Sequence, residues 1–390
     1  MISSIKADSA FSFHMIQPIK ILQIVRPSQG GIRSHLRLLC RELLHFGHSI
    51  HIVAPVGFRL EDIPGSISGE ISIHSASIHS KPNMISDLRA ALKTARVAKE
   101  VDVMHAHGVR AAWIGAMACQ LCAKPLVFTA HNLCPPPRRD LSSKLIRWAL
   151  HQCDEVIGVS KAVATSLKKY DGDFSDFRVI ANGVDLQEID AMIDVNSAWT
   201  QLGMKFEPQS TMIIAAAGRL EPEKGYDYLL HAASLIHPMY PEVTFLLMGD
   251  GSEKNRLSGL IPGYGLTQNV LMPGRMRNIP ALFAKSRLVV VPSISEGQGI
   301  TALEAMAARR CVVASDTGGL SETIEDGVTG VLTPPGDPHA MAEAIVRLIT
   351  NDELRDRMGK SGRLRVERYY TSRMMTVDTE SVYQSAISKA

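Results

Sequence analysis

Two doubly wound α/β domains, facing each other across a cleft, are the fold class this sequence predicts. Three observations predict it. The chain has 390 residues, too long for one ordinary domain and about right for two of roughly 150–200 residues. Short β-rich runs alternate with amphipathic stretches from about residue 19 to 190, a pattern that implies parallel strands with helices on both faces. The alternation then restarts after a polar stretch near 185–210, which reads as a linker.

The elements follow in order. Residues 1–18 read as an extension: "MISSIKADSAFSFHMIQPIK" carries Lys6 and Asp8 and lacks the apolar core of a signal peptide. Met15, just ahead of "IQPIKILQIV", is a candidate start of translation. The first domain, 19–190, has candidate strands at 20–25, 49–54, 70–74, 101–106, 125–130, 155–160 and 177–182. Between the first two lies "SHLRLLCRELLHFG" (34–47), an amphipathic helix closed by Gly47 at a C-cap position. The second domain, 205–371, has candidates at 212–218, 243–249, 269–274, 287–293, 311–316 and 329–333. A helix over about 372–390 is expected to pack back on the first domain.

Composition narrows the class. Apolar residues make up 45% and charged residues 21%, as in a soluble globular protein. No apolar run approaches the roughly 18 residues of a membrane span. Six scattered cysteines suggest reduced thiols in a cytoplasmic protein. A zinc reading of Cys119 and Cys122 with His131 and Cys134 is disfavoured, because "AAWIGAMACQLCAK" reads as a buried apolar helix and no second Cys-x-x-Cys follows. Residues 1–150 hold 18 Lys/Arg against 9 Asp/Glu, whereas residues 151–390 hold 24 against 30. A basic first domain suggests an anionic partner. Nucleic acid is discounted, since no recognition motif or aromatic-interleaved basic run is present.

In doubly wound sheets ligands bind beyond the carboxyl ends of the strands. That rule selects "RPSQGGIRSH" after 20–25, His107-Gly108, His131-Asn132, "GRLEPEKG" (218–225), "DGSE" and "SEGQGITALEAMAARR" (295–310). The last stretch holds two glutamates eight apart, Glu296 and Glu304. On one ideal helix they would lie about 12 Å apart along the axis, farther than the roughly 5–9.5 Å of paired glycosidase carboxylates. They therefore suit two parts of one long ligand. Gly297 and Gly299 let backbone approach it, and a helix starting near Ile300 offers unpaired N–H groups to an anion. A nucleotide-sugar fits that description. Arg219 and Lys224 in "GRLEPEKG" suit its diphosphate.

With these motifs in place, the chain resembles the retaining glycosyltransferases of the GT-B fold, specifically glycosyltransferase family 4. The resemblance runs from about residue 19 over nearly the whole chain. It rests on "EGQGITALE", "GRLEPEKG", "NGVD" (182–185), "GDG" (249–251) and "GGLSETIEDGVTGVLTPPGD" (318–337). It implies that Arg219 and Lys224 bind the donor diphosphate and that Glu304 holds the ribose hydroxyls. Glu296 would lie beside the donor sugar and phosphates, with the amides near Gly299, Ile300 and Thr301 facing the diphosphate. Gly30-Gly31 would approach from the other domain. His107, in "HAHG", matches the family's active-site histidine. Strand alternation is read as pointing His105 into the sheet and His107 out of it.

The resemblance further implies metal-independent transfer of a sugar, with retention, from a nucleotide-sugar donor to a sugar or lipid-linked acceptor, with no cofactor. Sugar-nucleotide 2-epimerases share the architecture but are not expected to combine Glu-x7-Glu with this Arg/Lys pair; a non-catalytic nucleotide-sugar binder is a third reading. The basic stretch 134–153, with Arg138, Arg139, Lys144, Arg147 and Trp148, suggests contact with an anionic membrane, placing the protein at the inner face of the cell membrane. Three departures stand out. Gln298 occupies a position where an aromatic residue is common and is expected at the floor of the sugar pocket. Arg309 replaces a usual Gly and is strained if its φ is positive. Ala181 stands where Pro is common.

Overall fold

The computed structural model describes residues 17–27, 30–58, 71–79, 83–170, 177–193 and 212–390. Two all-parallel sheets organise the chain. The first domain carries β1 (Lys20–Val25), α1 (Gly31–His45), β2 (Ser49–Pro55), β3 (Ile71–Ala76), α2 (Met84–Ala98), β4 (Val103–His107), α3 (Val109–Cys122), β5 (Leu126–Ala130), α4 (Leu141–His151), β6 (Glu155–Gly158), α5 (Lys161–Lys168), β7 (Phe177–Val179) and α6 (Leu186–Ile193). The second carries β8 (Met212–Ala217), α7 (Tyr226–Ile236), β9 (Val243–Met248), α8 (Lys254–Gly263), β10 (Val270–Gly274), α9 (Ile279–Lys285), β11 (Leu288–Val291), α10 (Ile300–Ala307), β12 (Val312–Ser315), α11 (Leu320–Thr323), β13 (Gly330–Thr333), α12 (Pro338–Ile349) and α13 (Asp352–Tyr369). The chain closes with α14 (Ser372–Lys389). Met15 and most of the presumed linker lie outside the described residues.

The strand orders are β3-β2-β1-β4-β5-β6-β7 and β10-β9-β8-β11-β12-β13. Each sheet reverses direction once, between β1 and β4 and between β8 and β11. The central strands are buried on both faces, as strands covered by helices on both sides must be: β4, β5, β9 and β11 have every residue buried. In α1, Ile32, Leu36, Leu39 and Leu43 recur at helical spacing and are buried. Gly47, at φ 89°, follows its end. Side-chain caps start several helices: Asn83, Asp140, Ser160, Asp337, Asn351 and Thr371 each accept a backbone N–H in the first turn.

β7 stops at Val179, short of the strand expected to 182, because the chain leaves the sheet to cross between domains. Two crossings run side by side: Val184 N–H donates to Tyr370 O (2.8 Å) and Ser372 N–H to Val184 O (2.9 Å). The second crossing returns α14 to the first domain. There Tyr383 is fully buried beside β1 residues, His48 meets Glu380 at 2.8 Å, and Ser385 donates to buried Glu155 (2.6 Å).

Candidate active site

Both reversals of strand order point into the same cleft. On the first-domain side, β1 leads to Gly30 and Gly31. A Cβ on Gly31 would lie 3.2 Å from Ile300 Cδ1, and one on Gly30 would lie 3.9 Å from Arg219 Cγ. The glycine turn therefore meets the second domain at two of the residues singled out from sequence.

On the second-domain side, β8 leads to Arg219 and a 3-10 turn, Pro222–Lys224. Lys224 Nζ meets Glu296 Oε2 at 2.5 Å, and Ser293 Oγ donates to the same oxygen (3.1 Å). Arg219 is about half exposed and pairs with Glu223 at 2.7 Å. Ile294 N–H donates to Glu223 O (2.9 Å), which ties this loop to the one after β11. Glu296 lies in that loop, not on the helix, so the ideal-helix spacing to Glu304 does not describe the pair. Gly299 takes φ 92° at the N-cap of α10, and no side chain caps the helix. Its first amides are therefore open to a ligand. Thr301 Oγ1 turns back to Ala217 O (3.3 Å).

Gly297 makes a close contact between domains. A Cβ there would stand 2.0 Å from His131 O, so only glycine lets the loop rest on first-domain backbone. Ser160 Oγ donates to Gly297 O (2.7 Å). Beside it the Glu322 carboxylate accepts the N–H groups of Lys161 and Ala162 (2.8 Å each) at the start of α5.

A cavity of about 290 Å³ opens beside the start of α10. Ile300 and Glu304 form one wall, Arg277–Pro280 another, and Arg37 and Glu188 the roof. Arg37 Nη1 holds Glu188 through two contacts of 2.7 and 2.8 Å. Burial pushes the Glu304 carboxyl up to about 7; Arg37 opposes the shift and Glu188 adds to it.

Histidines fill the first-domain floor. His107 is fully buried; its Nε2 meets Gln23 Oε1 (2.6 Å) and its Nδ1 meets His131 Nε2 (3.2 Å). Burial, with His35 alongside, holds it well below its ordinary value, so it is neutral. Contrary to the sequence reading, His105 and His107 share one face of β4. Their ring centroids are 4.2 Å apart, because residues two apart in a strand point the same way. His105 bonds Tyr383 Oη and Thr129 Oγ1 (2.7 Å each), which makes it a packing residue. Gln298 is also corrected. It is buried, accepts from Asn182 N and Nδ2 (2.5 and 2.6 Å), and donates to Asn182 O (3.3 Å). It joins the domains and does not floor a sugar pocket. Arg309 has φ 58°, the left-handed conformation its position was suspected of requiring.

Sequence reasoning passed over His35, Arg26 and Arg37. His35 sits on the buried stripe of α1 between Ile32 and Leu36, so a lone polar residue on an apolar face was the available signal. Arg26 ends the β1 run. Its Nε is buried without a hydrogen-bond partner among the described residues. Burial first, then the charge of Arg219, lowers its basicity. The Arg26 guanidinium lies beside Gly108, and the charge of Arg219 reaches it from the other domain.

Paired parallel sheets of this order, with the cleft at both reversals, define the GT-B architecture of two-domain glycosyltransferases. The chain belongs to the glycosyl transferases group 1 family: residues 201–365 match the model of that description, and residues 29–188 match Glycosyltransferase Family 4. Among curated relatives, the α-D-kanosaminyltransferase of Streptomyces kanamyceticus is 35% identical over 170 residues, 43% of this chain and 44% of its own. A D-inositol 3-phosphate glycosyltransferase of Salinispora arenicola is 30% identical over 300 residues, 70% of this chain and 66% of its own. The chain thus spans less than two thirds of either relative. The N-acetyl-α-D-glucosaminyl L-malate synthase of Bacillus anthracis is 25% identical, with 93% of this chain and 95% of that one covered. Among solved structures, Anabaena HepE with UDP and glucose superposes with a TM-score of 0.81 at 23% identity, over 94% of this chain and all of that one. Sucrose-phosphate synthase from Thermosynechococcus elongatus gives 0.80 at 23%, over 95% of this chain. At these identities the structural likeness speaks for the fold.

Proposed function

We propose that this protein is a retaining, metal-independent hexosyltransferase. It would move a sugar from a nucleotide-diphosphate-sugar to an acceptor hydroxyl, in polysaccharide, glycolipid or envelope-glycan synthesis. One observation carries the reading. Arg26, Arg219, Lys224 and the uncapped start of α10 converge where the strand orders reverse, between a cavity sized for a nucleoside and a floor of neutral imidazoles. Such a cation cluster is a diphosphate site.

The chemistry follows from that placement. As the anomeric C–O bond breaks, its electron pair goes to the diphosphate. Arg219, Lys224 and the amides of Gly299, Ile300 and Thr301 stabilise the growing charge without reorganising, which is where enzymes gain most. Glu296, now holding Lys224, contacts the donor sugar. Glu304 accepts hydrogen bonds from the ribose. The acceptor hydroxyl attacks the face from which the phosphate leaves, and a phosphate oxygen takes its proton. His107, being neutral, serves as a hydrogen-bonding partner of the sugar once the Gly297 loop lifts from His131. The glycosyltransferases among the relatives support sugar transfer, and HepE was solved with UDP and glucose. The direct test is incubation with a matching donor and acceptor, with the product's anomeric configuration read by NMR. An inverted product would refute the retaining mechanism.

Contact with an anionic membrane surface is part of the same proposal, on the face built by α2, α3 and α4. Met84, Ile85, Leu88, Leu92 and Leu141 are exposed there, among exposed Arg89, Lys93, Arg138 and Lys144. No helix among the described residues is long and apolar enough to cross a membrane. Flotation with anionic vesicles tests the contact; failure to float removes it.

A further inference from the structure

We propose that His35, His107 and His131 form a binding site for one borderline divalent cation of the Zn²⁺ class. One nitrogen from each ring lies within 4.8 Å of the other two, and all three side chains are buried. Three imidazoles with neither thiolate nor carboxylate suit Zn²⁺ and Co²⁺ over Mg²⁺ or Ca²⁺.

The hydrogen-bond network fixes which nitrogens face the centre. Asn182 Nδ2 donates to Gln298 Oε1 (2.6 Å), so the atom facing His35 Nδ1 at 2.8 Å is the acceptor Oδ1. His35 Nδ1 must then carry the proton, leaving a lone pair on Nε2. That nitrogen is buried and has no partner among the described residues. The same logic holds at His107. Gln23 Nε2 donates to Tyr383 Oη (3.2 Å), so Gln23 Oε1 faces His107 Nε2 (2.6 Å). The His107 proton is on Nε2, and its Nδ1 lone pair points inward. Two carboxamides thus act as the outer partners that orient metal-binding imidazoles.

The third ligand needs only a tautomer change. His131 Nε2 sits 3.2 Å from His107 Nδ1, and moving its proton to Nδ1 frees the lone pair with no net proton released. Nitrogens around a tetrahedral ion at about 2.0–2.1 Å lie about 3.4 Å apart. The His107–His131 pair already has that spacing, and His35 must close in. The site shares His107 with the proposed transfer site, so an ion on its Nδ1 and a donor sugar would compete for that ring.

The test uses tag-free full-length protein, with Zn²⁺ competed against a chromophoric chelator and Co²⁺ followed by its visible spectrum. Wild type should bind one equivalent and show the intense bands of four-coordinate cobalt. His35→Gln and His131→Gln, checked by thermal melting, should each weaken binding about 100-fold or more, beyond the 10–100-fold expected of an outer partner. Equal binding by wild type and both variants would overturn the site, as would no stoichiometric binding. So would a thiolate-to-cobalt charge-transfer band, which would put the ion on Cys119 and Cys122.

Discussion

The two halves of the cleft share a topology and differ in chemistry. Between β1 and β4 the first domain gathers buried, neutral imidazoles held by carboxamides and a tyrosine. Between β8 and β11 the second gathers charges on loops, the half-exposed Arg219 with Glu223 and the more buried Lys224 with Glu296. Hydrogen bonds that specify tautomers make the first half rigid. Ion pairs make the second half exchangeable, since a diphosphate can replace a carboxylate as the partner of a cation. The difference teaches that strand order decides where a site falls, while the residues at each strand end decide its task.

The sharpest way to break the comparison is at the charged half. Lys224→Met should lower kcat/KM about 10²–10³-fold, the usual loss for one preorganised donor, while the melting temperature changes little. A variant with near wild-type turnover would remove Lys224 from the chemistry. Next comes the seam between halves. Gly297→Val puts side-chain atoms into His131 O, so closure fails. Turnover should drop about 100-fold, as for a misplacement of about 1 Å, and small-angle scattering should show a wider molecule. Unchanged turnover and shape would show that closure of this seam is not a step of the working cycle.

Smaller effects test what holds the seam. Gln298→Ala strands the buried Asn182 amide and should cost about 1–3 kcal/mol in urea unfolding, and the carboxamide that orients His35 loses the bond that fixes it. The smallest effect concerns pH. The Glu304 carboxyl is raised to about 7 in the folded chain against an ordinary 4.5. The native state therefore binds the extra proton between those values, and stability falls as pH rises through that window. Nucleotide affinity should run the other way, rising several-fold from pH 6 to 8 as the carboxylate forms. Glu304→Gln should flatten both profiles; a variant that keeps them would place the titration elsewhere.

Much of this was readable before the structure, for physical reasons. Parallel sheets bury both faces, so β8 and β11 appear as unbroken apolar runs. Loops at their carboxyl ends stand out because glycines and charges interrupt those runs, which exposed Arg219, Lys224, Glu296 and Gly297. Arg309 was suspected of a positive φ and has one. Contacts between distant segments were not readable. Gln298 looked like a ligand-facing residue because nothing in the chain announces Asn182, 116 positions earlier, as its partner. His35 looked like part of an apolar helix face because its neighbours along α1 are leucines and isoleucine. The His105 and His107 orientations were misread by a simple error of period: a step of two returns to the same face.

The most direct measurement is calorimetric titration of UDP, GDP, ADP and their sugars into wild type and Arg219→Ala. The account predicts that one nucleotide family binds wild type and that the variant loses most of that affinity without losing its fold. Binding by none of them, or equal binding by both proteins, would contradict the assignment of this cleft to a nucleotide-diphosphate-sugar.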